Sequence, residues 1–377
     1  MAIFFIVVFT VYFAANTYIY LKGYALAGRG RYSAMYTVTF LLLVSMFIAG
    51  KILERNHSGI LSDILNIIGG FWLAYMLYAV LLYIITDLGL LAVKVAGISN
   101  GELLTGIKKW RFIIVNGITV LVIVAGFFNA LAPRIVNYEI ETTKSLNGRP
   151  EVKIAAVSDI HLGSTIRKRS MRKLQSMIGS VSPDMVLFLG DIVDGEIGPV
   201  LRGDLLASFS CPPCREGVYA ITGNHEYIGG IERTAPYILS KGIELLDDET
   251  VTTPSGVVLI GRRDRDSFRY TGKPRATLDD LLAVADRSAF TILLDHQPVN
   301  PGEAAAAGID LQLSGHTHNG QIWPLSIVVS KMYEIPYGLG RIGETSVIVS
   351  SGFGLWGPRV RIGSRPEIVV LRIKSSS

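Results

Sequence analysis

The chain has 377 residues, half of them hydrophobic and 18% charged, with a mean hydropathy of +0.41. So apolar a composition is rare in a soluble globule and assigns the excess to membrane-spanning segments, while abundant aliphatic residues and only two cysteines exclude intrinsic disorder and a disulfide scaffold. The net charge of +5 comes wholly from residues 1–133, which hold nine Lys/Arg against four Asp/Glu; residues 134–377 hold 27 of each sign, so no nucleic-acid partner is expected.

Four apolar runs fill the first third of the chain: Ala2 to Leu21, Tyr36 to Leu53, Ile64 to Thr86 and Phe112 to Ala132. Each contains or approaches the roughly 20 residues that cross a bilayer as a helix, so residues 1–133 read as a four-helix transmembrane anchor. Met1 to Thr10 lacks Lys and Arg and the first run is too long for a signal-peptide core, so this segment is expected to stay attached. No Asp, Glu, Lys, Arg or His lies in the middle of any run, which favours an anchor over a transporter, with Asn16, Asn66, Asn116 and Asn129 as candidates for hydrogen bonds between helices. Placing the first and third loops in the cytoplasm gives seven Lys/Arg inside against two in the middle loop. The protein is then a multi-pass cell-membrane protein whose C-terminal domain is extracytoplasmic, although Arg134, Lys144 and Arg149 oppose that sidedness.

After Pro133 the pattern changes to alternation, with Val136, Tyr138 and Ile140 on one side of a strand and a turn at Asn147-Gly148 leading into a second, Val152 to Val157. Short strands follow at Met185 to Leu189, Val218 to Ile221, Val257 to Ile260, Phe290 to Leu294, Leu311 to Leu313, Val347 to Val349 and Ile368 to Ile373, alternating with helical stretches. Residues 134–377 therefore form an α/β domain with almost no linker to the last span.

Five of the six histidines lie in this domain, and each follows an expected strand. The segments are Asp159-Ile160-His161, Gly190-Asp191-Ile192-Val193-Asp194, Gly223-Asn224-His225-Glu226, Asp295-His296-Gln297-Pro298 and Gly315-His316-Thr317-His318. Side chains at the carboxyl ends of neighbouring strands converge on one crevice. Imidazoles, carboxylates and an Asn amide without thiolate suit Mn, Fe or Zn better than Ca. Two divalent ions side by side need a bridging carboxylate and neutral imidazoles to limit their repulsion.

The five segments, over residues 150–373, resemble the ordered motifs of the calcineurin-like metallophosphoesterases. The likeness extends to Gly315-His316-Thr317-His318-Asn319-Gly320-Gln321 and to Ser350-Ser351-Gly352-Phe353-Gly354 with Arg361 and Pro366-Glu367-Ile368, features similar to the bacterial membrane-attached or exported branch. That branch commonly has Gly at the Asn319 position. The resemblance implies two packed mixed sheets flanked by helices. It also implies two divalent metal ions (Mn, Fe or Zn), one held by Asp159, His161, Asp191 and His318, the other by Asp191, Asn224, His296 and His316. Together the ions polarise a phosphoryl oxygen and supply a bridging hydroxide. His225 is then the catalytic imidazole that protonates the departing oxygen, Asp194 a supporting group, and Glu226 a local cap or ion-pair partner.

Other features carry weaker signals. Cys211 and Cys214 read as a loop disulfide or as two thiols without a role. The run Arg262 to Arg275, with six Lys/Arg against two Asp, contacts substrate phosphate or lipid headgroups, or is a solvated loop. Arg167, Lys168, Arg169, Arg172 and Lys173 form a solvated helix face. Phe353, Leu355 and Trp356 either touch lipid or pack beneath their loop, and His57 has no ligand companion. The sequence thus reads as a metal-dependent hydrolase of phosphate ester or pyrophosphate bonds on a lipid-linked substrate, with membrane lipids as partners. The alternatives are an esterase for small soluble phosphoesters and a non-catalytic membrane sensor.

Overall fold

The computed structural model of the protein describes residues 2–28, 30–97, 101–207, 209–211 and 214–376. Its Cα packing divides the chain into two compact units, Met1–Phe128 with Gly357–Val360, and Asn129–Trp356 with Arg361–Ser377.

The first unit is helical: α1 (Ala2–Tyr24), α2 (Arg31–Asn56), α3 (Ile60–Val95) and α4 (Gly101–Ala130). By length and apolar composition, Arg31–Asn56, Ile60–Val95 and the Trp110–Ala130 part of α4 suffice to cross a membrane. α1, with 23 residues, has the length. Aromatic side chains fill the interior, among them Tyr12, Phe40, Trp72 and Tyr83. Ile6, Val11, Leu41 and Leu121 face outward at 59–68% exposure, a surface that suits hydrocarbon rather than water.

The asparagines divide in role. Asn16 Oδ1 accepts from Trp72 Nε1 at 2.9 Å, joining α1 to α3, and Asn116 Nδ2 donates to Tyr83 Oη at 2.9 Å, joining α4 to α3. Asn66 is buried without a hydrogen-bond partner, and Asn129 donates to the Arg361 and Ser364 carbonyls rather than to another helix. Asp87 of α3 receives Lys22 of α1 at 2.5 Å and Arg111 of α4, a charged knot at the end of the third apolar run.

The second unit stacks two six-stranded mixed sheets. The first takes β1 (Arg134–Thr142), β2 (Glu151–Val157), β3 (Met185–Leu189), β4 (Gly217–Ile221), β5 (Glu244–Leu245) and β12 (Glu367–Ser375) in the order β1-β12-β2-β3-β4-β5. The second takes β6 (Glu249–Thr252), β7 (Val258–Gly261), β8 (Thr291–Leu294), β9 (Leu311–Ser314), β10 (Gly338–Ile342) and β11 (Thr345–Val349) in the order β10-β11-β9-β8-β7-β6.

Period-two alternation builds the layers. Met185, Leu187 and Leu189 of β3 point between the sheets, where they join Leu259, Ile292, Leu294, Leu311 and Leu313 in one core. Val186 and Phe188 point the other way, onto Met171, Leu174 and Ile178 of helix α5 (Lys168–Val181). The outer face of the second sheet is covered likewise by Leu278, Leu281 and Leu282.

Every strand expected from the sequence is present, and three more appear: β5, β6 and β10. All three are sheet edges, where a strand has one neighbour and little burial to impose a pattern. β5 has two residues, β6 reads Glu-Thr-Val-Thr, and β10 contains two glycines. Asn147 and Gly148 form the expected turn with φ of 51° and 78°. The strands it joins are nevertheless not partners, because β12 lies between them, parallel to β1 and antiparallel to β2.

Candidate metal centre

Five strands deliver the site. β2, β3 and β4 are parallel neighbours in one sheet, and β8 and β9 are parallel neighbours in the other. The residues just beyond their carboxyl ends are Asp159 and His161, Asp191 and Asp194, Asn224 and His225, His296, and His316 and His318.

Local backbone geometry aims these side chains inward. Asp159, His161, Asp191, His316 and His318 all take positive φ between 48° and 67°. That region costs a non-glycine residue about 1–3 kcal/mol and persists only where surroundings over-determine it. Two glycines permit the close approach. A Cβ on Gly223 would lie 2.1 Å from Asp191 Oδ1, and one on Gly315 would lie 2.5 Å from Asp159 Oδ2.

The structure gathers three overlapping ligand groups: Asp159, His161 and His318; His161, Asp191 and His225; and Asp191, His296 and His316. His161 Nε2 lies 3.0 Å from His318 Nε2 and 3.7 Å from Asp191 Oδ2, and His318 Nε2 lies 3.4 Å from Asp159 Oδ1. His296 Nε2 lies 3.2 Å from Asp191 Oδ2, and Asn224 Oδ1 is 3.0 Å from His316 Nδ1. All seven residues expected to bind metal therefore stand in one cluster, with Asp191 common to two of the three groups.

Protein hydrogen bonds alone leave this cluster unsatisfied. His296 Nδ1 donates to the Leu189 carbonyl at 2.6 Å, which turns Nε2 toward the Asp191 carboxylate. That Nε2 is buried without a hydrogen-bond partner. Burial opposes charging His296, yet the Asp191 and Asp159 carboxylates hold its pKa well above the ordinary range. Burial likewise opposes ionising Asp191, yet His296 and His225 keep it well below the usual carboxylate range. Positive charge is thus demanded between the two, from a proton or a divalent cation. Burial, aided by His296, lowers His316 to about 4, and burial with His161 and Arg361 lowers His318, so both rings are neutral near pH 7 with lone pairs available. The donor set fits a pair of divalent ions.

Surrounding groups fix the ligands. Asp194 Oδ1 lies 3.4 Å from His161 Nδ1 and 3.2 Å from His225 Nδ1, facing both rings. Burial pulls the His225 pKa down, but Asp191 and Asp194 outweigh it and raise it to about 9. Glu226 accepts from the backbone N–H groups of Asp191, Val193 and Gly223 at 2.7–3.0 Å, clamping two ligand loops together. It is a local cap, as the sequence suggested, with no ion pair needed.

Arg361 had no role on sequence grounds beyond its place in the family motif, and it is fully buried. Its Nη2 donates to the carbonyls of Gly352 and Gly354 at 3.1 and 2.8 Å and lies 3.3 Å from His318 Nδ1. It ties the glycine-rich closing loop to a ligand of the cluster. Its place in the family likeness was the signal, since Arg359 and Arg365 flank it and the residue pattern alone does not single it out.

The remaining candidates fall outside the cluster. Cys211 and Cys214 are joined in a disulfide. Arg167, Lys168, Arg169, Arg172 and Lys173 are exposed, on or beside α5. Phe353 and Leu355 pack into the core beside α5, whereas Trp356 is 59% exposed. His57 caps α2, donating its backbone N–H to the Leu53 carbonyl at 2.7 Å.

The model of the calcineurin-like phosphoesterases matches residues 152–320. A metallophosphoesterase of Aquifex aeolicus is 32% identical over 244 residues, covering 64% of this chain and 92% of its own length. A Danio rerio protein named as a transmembrane protein with a metallophosphoesterase domain is 34% identical over 275 residues, 69% of this chain, and the chain spans 62% of that relative's length. A Helicobacter pylori metallophosphoesterase is 34% identical over 255 residues, covering 66% of each chain. With the ligand cluster at the sheet ends and this degree of likeness, the chain belongs to the calcineurin-like metallophosphoesterases and is a metal-dependent phosphoester hydrolase with helices able to cross a membrane.

Proposed function

We propose that the protein hydrolyses a phosphate ester or pyrophosphate bond of a lipid-linked substrate at the membrane surface. The observation that carries the hydrolytic part is the convergence of three Asp/His groups on Asp191 and its neighbours. In this reading Asp159, His161, Asp191 and His318 would hold one divalent ion and Asp191, Asn224, His296 and His316 the other, and the chemistry supplied there would be charge withdrawal from the phosphoryl oxygens and activation of water near neutral pH.

The chain's own groups do the rest. His316 donates its backbone N–H to both Asp159 carboxylate oxygens at 3.0–3.1 Å, and His225 donates its backbone N–H to Asp191 Oδ1 at 2.9 Å, so both carboxylates are oriented before substrate arrives. Asp194 beside Nδ1 favours the cationic His225 ring and leaves Nε2 as the atom that delivers a proton to the leaving oxygen. Hydrolysis cleaves the P–O bond to the leaving group; water supplies the hydroxyl that ends on phosphorus, the leaving oxygen departs with the His225 proton, and the water's other proton passes to solvent, from which the ring is recharged.

The lipid assignment rests on the join between α4 and β1. Three residues, Leu131 to Pro133, separate them, a reach of roughly 10 Å at about 3.3 Å per extended residue. A catalytic unit tethered this closely samples the interface more than bulk solution, and the effective concentration of an anchored substrate rises accordingly. Full-length protein in liposomes is expected to hydrolyse a phospholipid or lipid pyrophosphate with higher kcat/KM than the soluble headgroup analogue. Equal efficiency on both would assign the enzyme to soluble phosphoesters.

A further inference from the structure

Adjacent residues after β8 serve two different sites. His296 joins the metal cluster, while Asp295 lines a separate cavity of about 150 Å³ together with Arg262, Arg265, Arg275 and Asn300. The volume is small, with room for one phosphate group.

Its walls are charged and incompletely paired. Arg262, 6% exposed, reaches Asp295 Oδ2 at 3.6 Å and Glu303 Oε2 at 3.1 Å, and Arg275 also pairs with Asp295 Oδ2. Three guanidiniums against two carboxylates leave one positive charge. Among the described residues, Arg262 Nε and Arg275 Nε and Nη1 are buried donors without hydrogen-bond partners, and Asp295 Oδ1 is a buried acceptor without one. Orphaned donors on buried cations are costly unless something meets them. A set of N–H donors around a single acceptor matches a protonated phosphate, which accepts through P–O⁻ and donates through P–O–H; guanidinium groups favour that geometry.

The cavity also adjoins the cluster. Asp295 and Gln297, the residues on either side of the cluster residue His296, both line the cavity, and the exposed Arg265 stands at its wall. An anion seated among these arginines is therefore a near neighbour of a phosphoryl group at the metal ligands.

We propose that this cavity is an anion subsite for a second phosphate of the substrate, so that the enzyme acts on compounds carrying two phosphate groups. The inference rests on the hydrolytic reading of the neighbouring cluster. The second phosphate comes either from a pyrophosphate linkage or from a separately phosphorylated headgroup, and the two sources call for two substrate pairs.

The test uses full-length protein in detergent. Farnesyl diphosphate is compared with farnesyl monophosphate, and a phosphatidylinositol phosphate with phosphatidylinositol. The two-phosphate member of at least one pair is expected to have kcat/KM about tenfold higher, and Arg265→Gln, which leaves the Asp295 pairs with Arg262 and Arg275 in place, to erase that preference. In parallel, calorimetric titration of chelator-treated protein with inorganic phosphate is expected to show binding that weakens about tenfold in Arg265→Gln and in Arg275→Lys, which keeps the charge but loses the fork. A preference ratio and a phosphate affinity both unchanged by these substitutions would overturn the subsite. If wild-type protein hydrolyses none of the four compounds, the hydrolytic reading fails, and the phosphate titration still decides the subsite alone.

Discussion

Asp191 is the residue on which the proposed centre turns, because its carboxylate stands in the His161 group and in the His296–His316 group at once. Asp191→Asn is expected to cost metal affinity at both positions, by more than about tenfold. Elemental analysis of purified variant checks this, and retention of two ions with normal turnover would refute the shared-ligand assignment. His225→Ala addresses the proton instead. It should lower kcat by about 10² to 10⁴ with metal content intact, whereas lost metal would make His225 a ligand. Both residues were legible in the sequence because divalent-metal chemistry admits few side-chain types and strand ends are where they can meet. Arg361 was marked only by the family likeness and its role was not legible, because its partners are backbone carbonyls, which no residue pattern records. The left-handed backbone of Asp159, His161, Asp191, His316 and His318 was equally hidden, since Asp and His adopt it more readily than most residues but the sequence does not say which of them do.

The turns between strands and ligands hold the site as units. Glu226 satisfies three backbone N–H groups drawn from the loops after β3 and β4. Glu226→Ala orphans all three at once, at about 1 kcal/mol or more each. A fall of roughly 6–12 °C in Tm is expected for a domain of this size, with weakened metal binding, and unchanged thermal unfolding would remove the clamp. Gly223→Ala acts on the same turn by a different route. A methyl 2.1 Å from Asp191 Oδ1 must displace that carboxylate, so metal content should fall even where the fold survives. Central strands were readable from their unbroken aliphatic runs, such as Met185–Leu189 with every residue buried. The edges β5, β6 and β10 were not, because a strand paired on one side can be short, polar or glycine-rich.

At the scale of the whole chain, the open question is sidedness. Lys22 at the end of α1 and Arg111 in α4 both bind Asp87, so part of the positive charge counted for the first and third loops also staples three helices. With Cys211 and Cys214 replaced by Ser, Gly28→Cys and Ala96→Cys are expected to be labelled by an impermeant maleimide only after the membrane is opened. A reporter fused after Ser377 should be accessible from outside. The reverse pattern would place the metal cluster in the cytoplasm.

The pairing of β12 with β1 and β2 has a consequence for biosynthesis. Residue Arg134 meets Glu367 at a sequence separation of 233, and β2 has no strand on that side until β12 arrives. While a ribosome is still making the middle of the protein, the helices have already emerged and β1 hangs from them without a partner. The first sheet therefore closes only after translation of β12, and until then the nascent chain exposes two open edges, a long-range closure that is slow by nature and a window in which chaperones and proteases compete for it.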